Sequence, residues 1–177
     1  MDQTNKVMLV NGNINISSSS ATALRLSGTA GGHLRLRGNF TKTAGTFNCN
    51  GRQFDFNGTS AQSITSNTAL SINYLLVSNT SATVTSTNAA LTIVNNLTIN
   101  AGANCRLDMG ANTLTLSGSA ANVVSGNLRS AGDIIGSTIA NLTFASGGQY
   151  EHNHSTTWGE VPTASWNANS TCSIIGY

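Results

Sequence analysis

Charge is what this sequence has least of. Of 177 residues, 8 are Lys or Arg and 6 are Asp or Glu, so only 8% are charged, against roughly 25% in an ordinary globular domain. A helical bundle or coiled coil, which needs Glu, Lys, Arg and Leu in quantity, is excluded. Proline occurs once while 39% of the residues are hydrophobic, which excludes an extended linker. The 3 cysteines, Cys49, Cys105 and Cys172, are an odd number, form no C-x-x-C pair and lie far apart, so neither a disulfide framework nor a zinc motif is indicated. No apolar run reaches the ~18 residues of a membrane span. The start, Met1-Asp2-Gln3-Thr4-Asn5, lacks the basic and apolar regions of a secretory signal; a mature portion behind an added Met is the preferred expectation. A net charge of +2 is too mild for a nucleic-acid binder, which concentrates base on one face.

Small and neutral-polar residues fill the gap: 23 Asn, 23 Thr, 22 Ser, 19 Ala and 18 Gly make up 105 of the 177 residues. Apolar residues recur as alternating pairs, among them Ile14 and Ile16, Leu34 and Leu36, Phe54 and Phe56, Leu91 and Ile93, Leu97 and Ile99, Leu107 and Met109, Leu114 and Leu116, and Leu142 and Phe144. Period two marks a strand. Asn11-Gly12, Asn50-Gly51 and Asn57-Gly58 lie between pairs and read as turns, because Asn and Gly tolerate positive φ. Two longer stretches also match. Asn39-Phe40-Thr41-Lys42-Thr43-Ala44-Gly45 resembles Asn96-Leu97-Thr98-Ile99-Asn100-Ala101-Gly102. At nearly the same separation, Phe54-Asp55-Phe56-Asn57-Gly58 resembles Leu114-Thr115-Leu116-Ser117-Gly118. An internal duplication of three coils, each of about 20 residues, is expected from them.

Strands with two inward residues are too thin for a sandwich core and suit a narrow coil. The expected fold is all-β, a right-handed parallel β-helix (β-solenoid) with short strands; the alternative is an antiparallel β-sandwich. Residues 1–146 would form the solenoid repeats and 147–177 an aromatic-richer terminal coil or cap of the same domain. Nine or so rungs ~4.8 Å apart would make a rod roughly 40 to 45 Å long. Stacking would set Asn on Asn and Thr on Thr in hydrogen-bonded ladders.

Chemistry is sparse. In Glu151-His152-Asn153-His154 the two imidazoles share a strand face and could grip a metal, but no third ligand is near and exposed polar positions are expected; His33 is expected to be solvated. Asp55 and Asp108 sit between inward apolar neighbours and should point outward. Paired carboxylates on a solenoid wall could act on a polysaccharide, yet no adjacent pair exists, so no catalytic residue, cofactor or metal is assigned and the chain is read as non-enzymatic. The three thiols each share a face with an apolar neighbour and are expected to be buried and free. Residues 147–177 hold both Trp and two of the three Tyr. Tyr150, Trp158 and Trp166 are candidate platforms for the rings of a glycan; the other reading makes these aromatics a cap. Residues 1–60 carry a local +4 and the remainder a local −2, which would favour head-to-tail association of open ends.

The stretch from Phe56-Asn57-Gly58-Thr59-Ser60-Ala61-Gln62-Ser63-Ile64 through Leu91-Thr92-Ile93-Val94-Asn95-Asn96-Leu97-Thr98-Ile99 to Gly110-Ala111-Asn112-Thr113-Leu114-Thr115-Leu116-Ser117-Gly118 resembles the repeats of large secreted surface proteins of Bacteroidetes. The tail, with Gly148-Gln149-Tyr150-Glu151-His152-Asn153, Val161-Pro162-Thr163-Ala164-Ser165-Trp166 and Ser170-Thr171-Cys172-Ser173-Ile174-Ile175-Gly176, is similar to a segment that follows those repeats. The resemblance covers about residues 39–177, and the tail is its more specific part. It implies an exported, cell-surface or extracellular β-helical protein, often adhesin-like, whose full-length members carry a signal peptide and a C-terminal sorting domain. The expected role is thus an extracellular structural or adhesive module. Its partners would be an extracellular polymer, a surface glycan or a second copy, with no nucleic acid and no membrane span; the alternatives are a carbohydrate-binding module and, less favoured, a polysaccharide-active enzyme.

Overall fold

The computed structural model describes residues 7–21, 23–28, 31–117, 121–155 and 158–176. Every strand pairing among them is parallel, which rules out the sandwich. There is no helix among the described residues, and so none long and apolar enough to cross a membrane. The chain winds around three sides. The first stacks β1 (Val7–Val10), β4 (His33–Leu36), β7 (Gln53–Phe56), the C-terminal halves of β9 (Leu70–Val77) and β11 (Leu91–Ile99), then β14 (Asn122–Val124), β17 (Leu142–Phe144) and β19 (Ser165–Trp166). The second stacks β2 (Ile14–Ile16), β5 (Phe40–Lys42), β8 (Gln62–Ser66), β10 (Thr83–Thr87), β12 (Arg106–Asp108), β15 (Asn127–Ser130), β18 (Gln149–His152) and β20 (Thr171–Ile174). The third holds the pair β3 (Leu24–Arg25) and β6 (Phe47–Asn48), and then the N-terminal halves of β9 and β11 with β13 (Leu114–Leu116) and β16 (Ile134–Ile135). This β-solenoid has about 7 turns, fewer than the repeat pattern suggested, and at ~4.8 Å per strand the first side runs roughly 34 Å.

Alternation of apolar residues becomes a set of inward rows. On the first side Val10, Leu36, Phe56, Val77, Ile99, Val124, Phe144 and Trp166 stand in register. Leu70, Leu91, Leu114 and Ile134 do the same on the third. The hollow near the N-terminal end is filled by one ring from each side: Phe40, Phe47 and Phe54 lie with centroids 5.0 to 5.3 Å apart. β9 and β11 run through a corner unbroken, and β11 takes it with a register shift between Ile93 and Asn96, a bulge that bends the strand.

Coil length varies. On the first side Val7 pairs with His33, Leu34 with Phe54, Gln53 with Tyr74, Tyr74 with Asn96, and Thr98 with Val123. The turn from Val7 to His33 is the longest of these and the one from Leu34 to Phe54 the shortest. The two pairs of matching stretches do not fall on equivalent positions. Phe40 lies on the second side and Leu97 on the first; Phe54 lies on the first and Leu114 on the third. All three sides ask for two inward apolar residues followed by a polar corner, so one motif serves any of them.

Thr41, Thr65 and Thr87 do stand in register, but the asparagines mostly bond to backbone rather than to one another. The Asn39 N–H donates to Asn13 Oδ1 at 2.8 Å, and the Ser63 N–H to Asn39 Oδ1 at 2.9 Å, so these two amides zip three successive corners. Of the three expected turn dipeptides, Asn50-Gly51 uses left-handed backbone at both residues (φ 51° and 73°), closed by Arg52 N–H to Cys49 O at 2.8 Å. Gly58 is needed for space instead: a Cβ there would lie 2.7 Å from the Arg37 carbonyl oxygen.

Because Phe54 is enclosed and touches three other rings, Phe54→Ala should destabilise the fold by about 3–5 kcal/mol, read as a lowered midpoint in urea with an unchanged slope.

Candidate functional site at the C-terminal end

The three residues marked out as ring platforms are not brought to one surface. Tyr150 follows Leu128 and precedes Cys172 in an inward row of the second side and is fully buried. It offers no face to a sugar, and this corrects the expectation: in a strand where Gln149 and Glu151 point out, Tyr150 must point in. Burial, with smaller contributions from Cys172 and Asp133, raises its phenol well above the ordinary value. Trp166 ends the first-side row. It stacks on Phe144 with centroids 4.2 Å apart and planes 10° from parallel, and is 37% exposed. Trp166 thus covers the end of the core. Trp158 alone stands free, 85% exposed.

Trp158 belongs to the passage of the last coil across the third side, where residues 158–164 form no strand. The chain's one proline, Pro162, lies in it, and a proline has no N–H to give to a ladder. The passage faces β16 and the turn after it across an open cleft of about 540 Å³, lined by Asp133, Ile135, Ser137, Trp158, Glu160 and Pro162 among others. Two acidic residues line it, and among the described residues the lining contains no Lys, Arg or His.

Beneath the passage lie the two histidines, which are buried rather than exposed. His152 points inward for the same alternation that buries Tyr150, and its Nδ1 lies 3.2 Å from the Tyr150 hydroxyl. His154 stacks on it at 4.5 Å and 19°. Among the described residues neither ring nitrogen of His154 finds a partner, and no group of three metal-ligating side chains forms. Gly159 lies directly on the His154 ring; a Cβ there would overlap it. Burial, and secondarily the neighbouring His154, holds the His152 imidazole below its ordinary pKa. His33 is half-buried, and its Nδ1 accepts the Gln53 N–H at 3.0 Å, so it links two coils instead of standing in solvent.

The outer wall carries the remaining charge. Asp55 points outward as expected yet is covered: Arg35 Nε donates to its Oδ2 at 2.7 Å and the Ser78 hydroxyl to its Oδ1 at 2.5 Å. On the second side Asp108, Arg129 and Glu151 fall in one register row. Arg129 Nε is 3.8 Å from Asp108 Oδ2, while Glu151 Oε1 accepts from Arg106 Nη2 at 2.7 Å and from Asn127 Nδ2 at 2.5 Å. These carboxylates are held in ion pairs; none stands as a free acid beside a free base. Cys49 and Cys105 are buried and free, and burial pushes both thiols up to about 11; Cys172, expected to be buried, is exposed because no coil follows its strand among the described residues.

Sequence reasoning found Trp158 but not its company. Glu160 was within sight two positions away, whereas Asp133 and Ile135 belong to the preceding coil, and variable coil length hides which residues that coil brings alongside. Comparisons with protein-family models, curated proteins and solved structures gave no match.

His152 sets a pH dependence. A folded-state pKa below the ordinary 6.5 means that the unfolded chain binds the proton first, so stability is full above about pH 6.5 and declines as pH falls below it. The melting temperature should stay level from pH 8 to 7 and drop between pH 6.5 and 5; His152→Gln should flatten that decline in a pH series of melting curves.

Proposed function

We propose that this chain is a structural and adhesive module of the cell exterior, a solenoid that extends by stacking end on end. One observation carries the reading: among the described residues the inward rows come to the surface at both ends. At the first coil Met8, Val10, Ile14, Ile16 and Leu24 line an open mouth of about 460 Å³. At the last, the inward positions Cys172 and Ile174 of β20 are exposed, Ile174 by 57%. Among the described residues no strand pairs with the outer edges of β1, β2, β19 or β20. Open parallel edges over an uncovered core favour addition of another coil.

The partner that fits is a further coil of the same kind, brought head to tail. The excess of +4 in residues 1–60 and of −2 beyond opposes like ends and attracts unlike ones, and between separate modules in water that attraction is screened by salt. A structural role also agrees with where the acids lie, since Asp55, Asp108 and Glu151 each face an arginine. The exterior location rests on the resemblance of the repeats and tail to secreted surface proteins.

Light scattering and electron microscopy over a concentration and salt series test the stacking. Rods longer than one module should form at high concentration and shorten as salt is raised, and Ile174→Lys should reduce them. A strict monomer at high concentration and low salt would overturn the proposal.

A further inference from the structure

The cleft beside Trp158 is independent of the stacking edges, and its chemistry is specific. Every Phe in the described chain is in the core, and Trp166 covers its end. Trp158 is the large aromatic that the fold leaves almost wholly in water. An indole carries one of the largest apolar surfaces of any side chain, so leaving it out forgoes much burial. It does not hang on a free loop. Gly159 is seated on the His154 ring, and Pro162 and Ala164 are buried, so the passage that carries Trp158 is anchored on its C-terminal side. The cleft volume of about 540 Å³ lies within the roughly 300–1,000 Å³ of small-molecule sites.

Around the ring, Ile135 and Val161 are 53% and 44% exposed, giving an apolar rim. Asp133 and Glu160, both exposed, line the same cleft. No ion pair to either forms among the described residues. An aromatic face with paired acceptors and no cation is suited to a ligand that has an apolar face edged by hydrogen-bond donors and bears no negative charge. A pyranose ring has that form: its C–H face stacks on an indole, and its hydroxyls or an ammonium donate to carboxylates.

We propose that this cleft binds a neutral or amino-sugar ring, with Trp158 as the stacking platform and Asp133 and Glu160 as acceptors, and that it rejects uronic acids. Uronates would set a third negative charge against two that have no counter-ion. Amino sugars would gain from both carboxylates, and that gain would fade with salt.

Tryptophan fluorescence and calorimetric titration with tetramers of N-acetylglucosamine, glucosamine and galacturonic acid test this. The first two should bind and shift the emission to the blue, glucosamine more tightly at low salt, and galacturonic acid should not bind. Trp158→Ala should lower affinity at least tenfold with an unchanged melting temperature, and Asp133→Asn with Glu160→Gln should erase the preference for glucosamine over the neutral tetramer. Binding of none of the three, binding of galacturonic acid as tight as the others, tighter binding of a lysine-rich peptide than of either sugar, or full affinity in Trp158→Ala would each overturn the proposal. Sugar binding and end-to-end stacking are separated by Trp158→Ala, which leaves the charges and the exposed edges of the stacking ends unchanged; Asp133→Asn with Glu160→Gln removes the −2 excess beyond residue 60 and is therefore read for sugar preference alone.

Discussion

In-register parallel pairing is the constraint from which the rest of this structure follows. Once the backbone of one coil bonds to the next, every side chain has a neighbour from the coil above and the coil below at about 4.8 Å. Apolar residues gain from this because each inward row becomes a continuous wall, as from Leu36 to Phe144. Charges do not. Two like charges at that spacing repel by about 0.9 kcal/mol in bulk water and ~3.5 kcal/mol at an effective dielectric of 20. The chain meets the constraint in two ways. It has few charges, and on its ladders it sets opposite ones together: Arg35 beside Asp55, and Asp108, Arg129 and Glu151 in alternation. The charge deficit is therefore a property of the ladder and not of the solvent-facing surface in general.

The same constraint decides what the ends look like. A ladder has no natural stop, and the core it encloses would open to water wherever winding ceases. At the C-terminal end three devices meet: Trp166 lies flat on Phe144, Pro162 interrupts the third side, and the Gly159 passage closes over a pair of stacked imidazoles. They cover the first and third sides but leave β20 with its inward residues exposed. Among the described residues the last coil is thus partly covered and partly open-edged. The cleft of Trp158 arises where the ordered third side gives way to the irregular passage.

The strand periodicity was plain in the sequence because alternation is a local property. The pairs from Ile14 and Ile16 to Leu142 and Phe144 all lie on described strands or beside them, and the inner ones are buried. Small corner residues were equally plain, although their reasons differed: Asn50 and Gly51 for left-handed backbone, Gly58 for room, Asn13 and Asn39 for bonds to the next coil. Phase along the winding was not legible. Because three sides make the same demand, the stretches beginning at Asn39 and Asn96, and at Phe54 and Leu114, looked like a duplication while joining different sides. The face taken by each residue of the tail was hidden too, since Gln149-Tyr150-Glu151-His152 alternates without an obvious apolar member to show which residues turn inward.

By itself the sequence determined that the chain forms short parallel strands around a thin core and can carry little charge, because period, turn chemistry and composition act within a few residues. Only the tertiary structure decided which coil meets which. That required the winding, with its turns of unequal length, to place Asp133 opposite Trp158 and Glu160, to enclose Tyr150 and both histidines, and to pair Glu151 with an Arg106 that lies two coils earlier on the same side.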